Sequence, residues 1–533
     1  MSGMNTKKAN STPRLLPIAM AALTLLLTVT AHAAAPGITS GTGNFALTAQ
    51  ESLISQPDGA MIYSWGYGCA STFTPGYAPT MPGATCPTMQ IPGPTLIVTE
   101  GDKVTVTLTN NLPAAAGNVS ILFPGFQMGA FSDGVPGLLT QEADHGTHST
   151  VTYTFTASTP GTHSYYSGTQ SDLQVEMGLF GAIIVVPNNT NSPACPYHNS
   201  SAQGTPETDF RLSHSAYHIL ESCYDREYLF QFSEMDPMIH RQTELQVGAN
   251  QACVAANQTG VVCPTLDVPT EPYHAAYFLI NGRSMPDDMD TNYAAQYPHQ
   301  PYNGNPHMHP GELVLLRIIG TGRLQHPFHE HGNHVRILAR DGNLLLSQTD
   351  STKLAGPLLF TTTTTPGVAM DGIFYWTGKG LNWDVYGHGY SGDVTPCSPD
   401  GNGYYTHASG AADADPNYYE WCADHTKPLE TAPTGSVGSG GPVTLPDPNI
   451  LTNGTWYGGS AYLGPDATIR AVGPNGTTPP AGTVGNPPTT EAGFAFMWHS
   501  HNEREITTNN VFPGGMLMMM LVDPRFFPID ESN

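Results

Sequence analysis

The stretch "TLIVTEGDKVTVTLTNN", residues 95–111, alternates apolar and polar side chains on both sides of Gly101-Asp102. A period of two places one set of side chains on a core face and the other toward solvent, the pattern of a half-buried strand. The Gly-Asp pair reads as a turn, so the stretch predicts an antiparallel hairpin. "HSTVTYTFTASTPGTHSYY", residues 148–166, repeats the pattern with Pro160-Gly161 at the turn, and "GLFGAIIVV", residues 178–186, reads as a buried strand. Residues 42–190 are therefore expected to form one β-sandwich.

A second set of strand-like runs follows: "REYLFQF" (226–232), "AYFLING" (276–282), "GELVLLRIIG" (311–320), "NHVRILARDG" (333–342), "GPLLFTTTTT" (356–365), "GIFYW" (372–376), "GFAFMWHSH" (493–501) and "GGMLMMMLV" (514–522). These predict a second sandwich within 205–533. A segment rich in Gly, Pro, Thr and Asn, about 380–490, is expected to lie outside it as an insertion. The chain has 533 residues with 57 Gly and 47 Pro, and helix-period stretches are scarce. The fold class read from these patterns is all-β, with two sandwich domains.

Residues 1–33 read as a secretory signal peptide. Lys7, Lys8 and Arg14 precede the apolar run "LLPIAMAALTLLLTVT", and "AHA" (31–33) supplies small residues for cleavage. The expected location is exported: periplasmic, extracellular or at the cell surface. The formal net charge is −25, with 18 Lys+Arg against 43 Asp+Glu. That balance leaves no basic patch for nucleic acid. The eight cysteines, Cys69, Cys86, Cys195, Cys223, Cys253, Cys263, Cys397 and Cys422, all follow residue 33. An even count in an exported chain favours disulfides, and sequential pairing is the simplest of the 105 connectivities.

Histidines carry the chemistry. "QHPFHEHGNHVRIL" holds His326, His329, His331 and His334, and "FMWHSHNERE" (496–505) holds His499 and His501 around Ser500. Residues two apart on a strand share a face. Two such pairs on neighbouring strands would bring four imidazoles together, a donor set suited to copper, zinc or iron. "HMH" (307–309) has the same spacing but reads as a solvated edge, and Met516, Met518, Met519 and Met520 read as a hydrophobic strand.

"HPFHEHG" (326–332) and "WHSH" followed by "GGM" (514–516) resemble the last two copper motifs of laccase-type multicopper oxidases. "GPTLIVTEGDKVTVTLTNNLP" (93–113), "DGVPGLLTQ" (133–141), "GTHSYYSGTQSDLQVEMGLFGAIIV" (161–185) and "INGR" (280–283) follow family landmarks in order. The resemblance implies tandem cupredoxin-like Greek-key sandwiches and copper as cofactor. It also implies kinship with the two-domain branch, whose members commonly form homotrimers.

The departures from the family pattern shape the functional expectation. The first motif, HxHG, corresponds to "ILFPG" with Leu122 and Pro124, and the second, HxH, to "YSG" with Tyr166 and Gly168. Ser500 stands where the family has its blue-copper cysteine, and Glu505 where it has that site's second histidine. A serine cannot supply the thiolate of such a site. The resemblance therefore implies copper held by His329, His331, His499 and His501; Glu505 beside His326 is a weaker candidate for a second, oxygen-rich site. The expected function is a copper-binding, multicopper-oxidase-like protein, an oxidoreductase of altered type with an unidentified electron donor or substrate. The alternatives are a copper-handling protein without turnover and a structural surface protein that kept the fold.

Overall fold

The computed structural model describes residues 34–129, 140–146, 149–190, 192–195, 207–257, 259–376, 491, 493–524 and 527–530, with short strands between 397 and 485. The expected signal peptide and most of the 380–490 insertion lie outside the described residues.

The described residues are mostly β, in tandem sandwiches. The first contains β1 (Gly37–Thr39), β2 (Asn44–Ser55), β3 (Met61–Cys69), β4 (Gly76–Ala78), β5 (Leu96–Thr99), β6 (Lys103–Asn110), β7 (Thr150–Thr156), β8 (Gly161–Tyr166) and β9 (Phe180–Val186). A five-stranded sheet in the order β4-β1-β5-β9-β8 faces a four-stranded sheet in the order β3-β2-β6-β7. Phe45, Trp65, Tyr67, Val106, Tyr153 and Ile183 fill the space between.

The predicted hairpin at 95–111 is corrected here. β5 pairs parallel with β9, whereas β6 pairs with β2 and β7. Gly101-Asp102 thus turns the chain from one sheet into the other. β7 and β8 are divided between the sheets in the same way. Burial gives the reason. Residues 103–110 alternate between exposed and buried, but Leu96, Ile97 and Val98 are all buried, as fits a strand with parallel neighbours on both sides.

The second sandwich contains β10 (Arg226–Met235), β11 (Tyr277–Ile280), β12 (His307–Met308), β13 (Leu313–Gly320), β14 (His326–Glu330), β15 (Val335–Arg340), β16 (Asn343–Leu344), β17 (Leu358–Leu359), β18 (Thr361–Thr364) and β19 (Ala369–Tyr375). Beyond β19 come β20 (Cys397–Pro399), β21 (Tyr405–His407), β22 (Gly459–Tyr462), β23 (Thr468–Ile469), β24 (Val484–Gly485), β25 (Gly493–Ser500) and β26 (Leu517–Val522). One sheet runs β11-β10-β13-β19-β15-β16, with β17 on β15; the other runs β12-β26-β25-β14-β18, with β22 on β25. Phe230, Phe328, Trp498, Met518 and Met520 pack between them. The methionine run is thus a core strand, with Met519 the half-buried exception.

One element was not expected. Helix α1 is a single turn, Ser171–Gln174, but α2 spans Pro237–Ala256. Asp236 caps α2 by accepting the Met238 N–H, and Pro237 occupies the first turn, where its missing N–H costs nothing. Ile239, Thr243 and Val247 form its buried stripe, and Ile239 and Val247 join the first core. Cys69–Cys86, Cys195–Cys223 and Cys253–Cys263 are disulfides, matching the sequential order. Cys422, the expected partner of Cys397, lies outside the described residues.

Candidate metal centre

Strands β14 and β25 are antiparallel neighbours, and His329 is paired directly with His499. His331 and His501 follow the two strands in opposite directions, one on each side of the His329–His499 pair, so the four imidazoles gather around that pair. Ring centroids lie 4.8 Å apart for His329–His331 and His329–His501, 5.2 Å for His331–His499 and 5.4 Å for His499–His501. The Nε2 atoms of His331 and His499 are 3.3 Å apart.

The surrounding bonds orient these rings. His499 Nδ1 lies 2.7 Å from the Ser500 carbonyl oxygen, which can only accept. Nδ1 therefore carries the proton, and Nε2 turns its lone pair toward His331. His329 Nδ1 is 2.6 Å from Thr361 Oγ1, and the Trp498 indole N–H donates to the His331 carbonyl at 2.9 Å. His329 and His499 are buried and His501 is exposed. Burial, then the neighbouring imidazoles, lower the His329 pKa to about 4, and burial lowers that of His499. Both rings are neutral at pH 7, the form that binds a metal. His334 packs instead on Phe360, with centroids 5.0 Å apart.

His326 has different surroundings. Its Nδ1 is 2.8 Å from Glu505 Oε2 and its Nε2 is 2.9 Å from Glu234 Oε2. Two carboxylates can both accept only if the ring is doubly protonated. Burial opposes that charge, but hydrogen bonds to Glu234 and Glu505 prevail and raise the His326 pKa to about 9. Ser500 Oγ donates a short bond to the same Glu505 oxygen. His326, Glu505 and Ser500 therefore meet through hydrogen bonds, joined by Glu234, which sequence reasoning missed. Glu234 lies 92 positions from His326, and no local spacing marks it.

The expectation for His307 and His309 is corrected: both are fully buried. β12 adds to the edge of β26, and each ring bonds a carboxylate, His307 to Asp523 and His309 to Glu207, both at 2.7 Å. Those acids lie 216 and 102 positions away, beyond any local signal. Glu330, between His329 and His331, is also buried and accepts from Thr362 Oγ1 at 2.6 Å.

Residues 84–190 match the family model described as "Multicopper oxidase". That segment is similar to multicopper oxidases. "Multicopper oxidase MCE" of Talaromyces pinophilus is 36% identical over 115 residues, 21% of this chain and 18% of that protein. "Laccase 1" of Metarhizium acridum is 39% identical over 100 residues, 18% of this chain and 15% of that protein. The chain thus matches less than a fifth of the length of these curated relatives. The blue copper oxidase of Nitrosomonas europaea is 16% identical with a TM-score of 0.44, covering 90% of this chain and 85% of its own.

Proposed function

We propose that this is an exported, multicopper-oxidase-like protein that holds copper through His329, His331, His499 and His501, as an oxidoreductase of altered type. The convergence of four imidazoles, with His499 Nε2 turned toward His331 Nε2 at 3.3 Å, is the observation that carries this reading. Neutral imidazoles with no thiolate favour Cu(II), with Zn(II) the rival. Copper, when bound, supplies one-electron chemistry. The chain's own part is to fix the ring tautomers through Ser500 and Thr361 and to leave His501 open to solvent.

The relay of the family is absent in this reading. Ser500 takes the place of the blue-copper cysteine, and its hydroxyl is held by Glu505 instead of a metal. The imidazolium of His326 between Glu234 and Glu505 fills the same region with an ion-paired network. The two carboxylates on His326 favour that role over metal ligation for His326 and Glu505. The same arrangement favours a second reading, copper handling without turnover, because no thiolate links the four imidazoles to an outer electron donor.

Export follows from residues 1–33 and accords with three disulfides, which form in oxidising compartments. No helix among the described residues is long and apolar enough to cross a membrane. The domains are proposed as 42–190 and 205–533. A homotrimer and an unidentified electron donor complete the proposal, with no role for nucleic acid.

Copper content of the purified protein tests the site. The double variant His331→Ala, His499→Ala should lose most of its copper, and His334→Ala should keep it. Unchanged copper in the double variant would favour the structural alternative. Affinity should fall as pH drops below the ordinary histidine value toward 4, because protons compete for the same nitrogens and burial lowers the pKa of His499 and takes that of His329 to about 4.

A further inference from the structure

A second group of ligand-type side chains lies at the opposite end of the same sheet. His307 is in β12, Asp523 directly follows β26, and Glu491 lies just before β25. The sheet brings them together, with His307 paired to Leu521 and Phe494 to Val522. One ligand atom from each of His307, Glu491 and Asp523 falls within 4.8 Å of the others. His499 is eight residues further along β25, roughly 25 Å away at strand rise, so this group is separate from the four imidazoles.

The internal geometry resembles a ligand set. His307 Nδ1 lies 2.7 Å from Asp523 Oδ2. A carboxylate that accepts from Nδ1 fixes the tautomer and turns the Nε2 lone pair the other way, the usual outer support of a metal-bound histidine. His307 Nε2 is 4.0 Å from Glu491 Oε1. Donors at zinc-ligand distances of about 2.1 Å stand roughly 3.4 Å apart in a tetrahedron, so a small closing movement would let His307 Nε2 and Glu491 hold one cation. His307 and Asp523 are buried, and Glu491 is partly exposed, which leaves an entry route.

The adjoining trio, Glu207, His309 and Glu312, is a useful contrast. There the Arg226 guanidinium bonds Glu312 at 2.6 Å and Glu207 at 2.5 Å, so the resident cation is a side chain. At His307, two carboxylates meet around an imidazole. A divalent cation would bring positive charge to these two carboxylates.

We propose that His307, Glu491 and Asp523 form a second metal site, for a divalent cation such as zinc. His307 Nε2 and Glu491 as ligands, with Asp523 orienting the ring and water completing the shell, suit zinc or manganese better than Cu(I). The site would clamp the chain entering β25 to β12 and to the end of β26. It does not depend on copper binding at the four imidazoles.

The test uses the full chain carrying His331→Ala and His499→Ala, so that zinc is not held at the first cluster. Equilibrium dialysis against zinc chloride should leave one zinc per chain, with a rise in Tm over the EDTA-treated protein. Adding Glu491→Gln and Asp523→Asn should weaken zinc binding at least tenfold and abolish the rise. No bound zinc in the parent, or equal zinc in both proteins, would overturn the proposal. Should the Asp523 variant fail to fold, Glu491→Gln alone decides through cobalt absorption. The parent should give the intense bands of a low-symmetry site and the variant should lose them; an unchanged spectrum overturns the assignment.

Discussion

Ser500 illustrates how much one side chain can redirect. Its carbonyl sets the tautomer of His499 while its hydroxyl bonds Glu505, so the residue serves two neighbouring polar groups at once. Copper loading should give a protein without an intense blue band, because that colour needs thiolate-to-copper charge transfer. Visible absorption checks this, and an intense blue band would mean that a cysteine has been recruited. His326 allows a prediction about pH. Its folded pKa, about 9, lies above the unfolded value near 6.5. The folded state therefore binds more protons between these values. The contribution is complete below pH 6.5 and is lost as pH rises through 9, on the order of a few kcal/mol. Denaturant unfolding at pH 7 and pH 9.5 should show the loss, and His326→Gln should flatten the difference. The four histidines were legible because spacing of two on a strand is local information. The partners of His326 were not, because Glu234 reaches it only through tertiary packing.

Elements were read with mixed success, for reasons visible in particular strands. β6 alternates in sequence and in burial, whereas β5 is short, apolar and buried on both faces. The turn residues between them are the same whether the chain folds back in one sheet or crosses to the next. Helix α2 escaped because its buried face includes His240, Thr243 and Asn250, while Met238, Leu245 and Val254 are exposed. Its apolar residues do not form one stripe, and Asp236-Pro237 was the remaining start signal. Asp236 also accepts the His274 N–H at 2.8 Å, tying the cap to the loop before β11. Asp236→Ala should cost about 2 kcal/mol, near the upper end for a lost cap. Urea denaturation followed by circular dichroism measures it, and a change near zero would mean water replaces both bonds.

At the scale of the whole molecule, the two sandwiches are joined by a buried polar contact. Thr162 of β8 donates to Asp371 of β19 through its N–H at 3.0 Å and its hydroxyl at 2.6 Å. Arg317 of β13 bonds Thr162 at 3.1 Å and Glu227 of β10 at 2.8 Å. Gly161 permits this approach, since a Cβ there would lie 2.2 Å from the Tyr217 hydroxyl. Asp371→Ala removes the acceptor for two Thr162 donors and strips a charge partner from Arg317. The expected cost is about 3 kcal/mol, and calorimetry should resolve two transitions where the parent unfolds in one. A single transition at an unchanged temperature would show that the apolar contacts suffice. Free-thiol titration of the denatured, unreduced chain should find almost none. The sandwiches were legible from alternation, but their joint was not, since Thr162 and Asp371 are 209 positions apart.

The direct pairing of His329 with His499 gives copper content a second meaning. A slip of one residue between β14 and β25 would set His329 opposite Trp498 or Ser500 and turn a side-chain set to the other face. Such a chain could keep most of its strands and its far-ultraviolet spectrum, yet it would present no converging imidazoles. With copper held as proposed, loading of a refolded sample would count the molecules that closed in the correct register, a folding yield that secondary structure alone would not reveal.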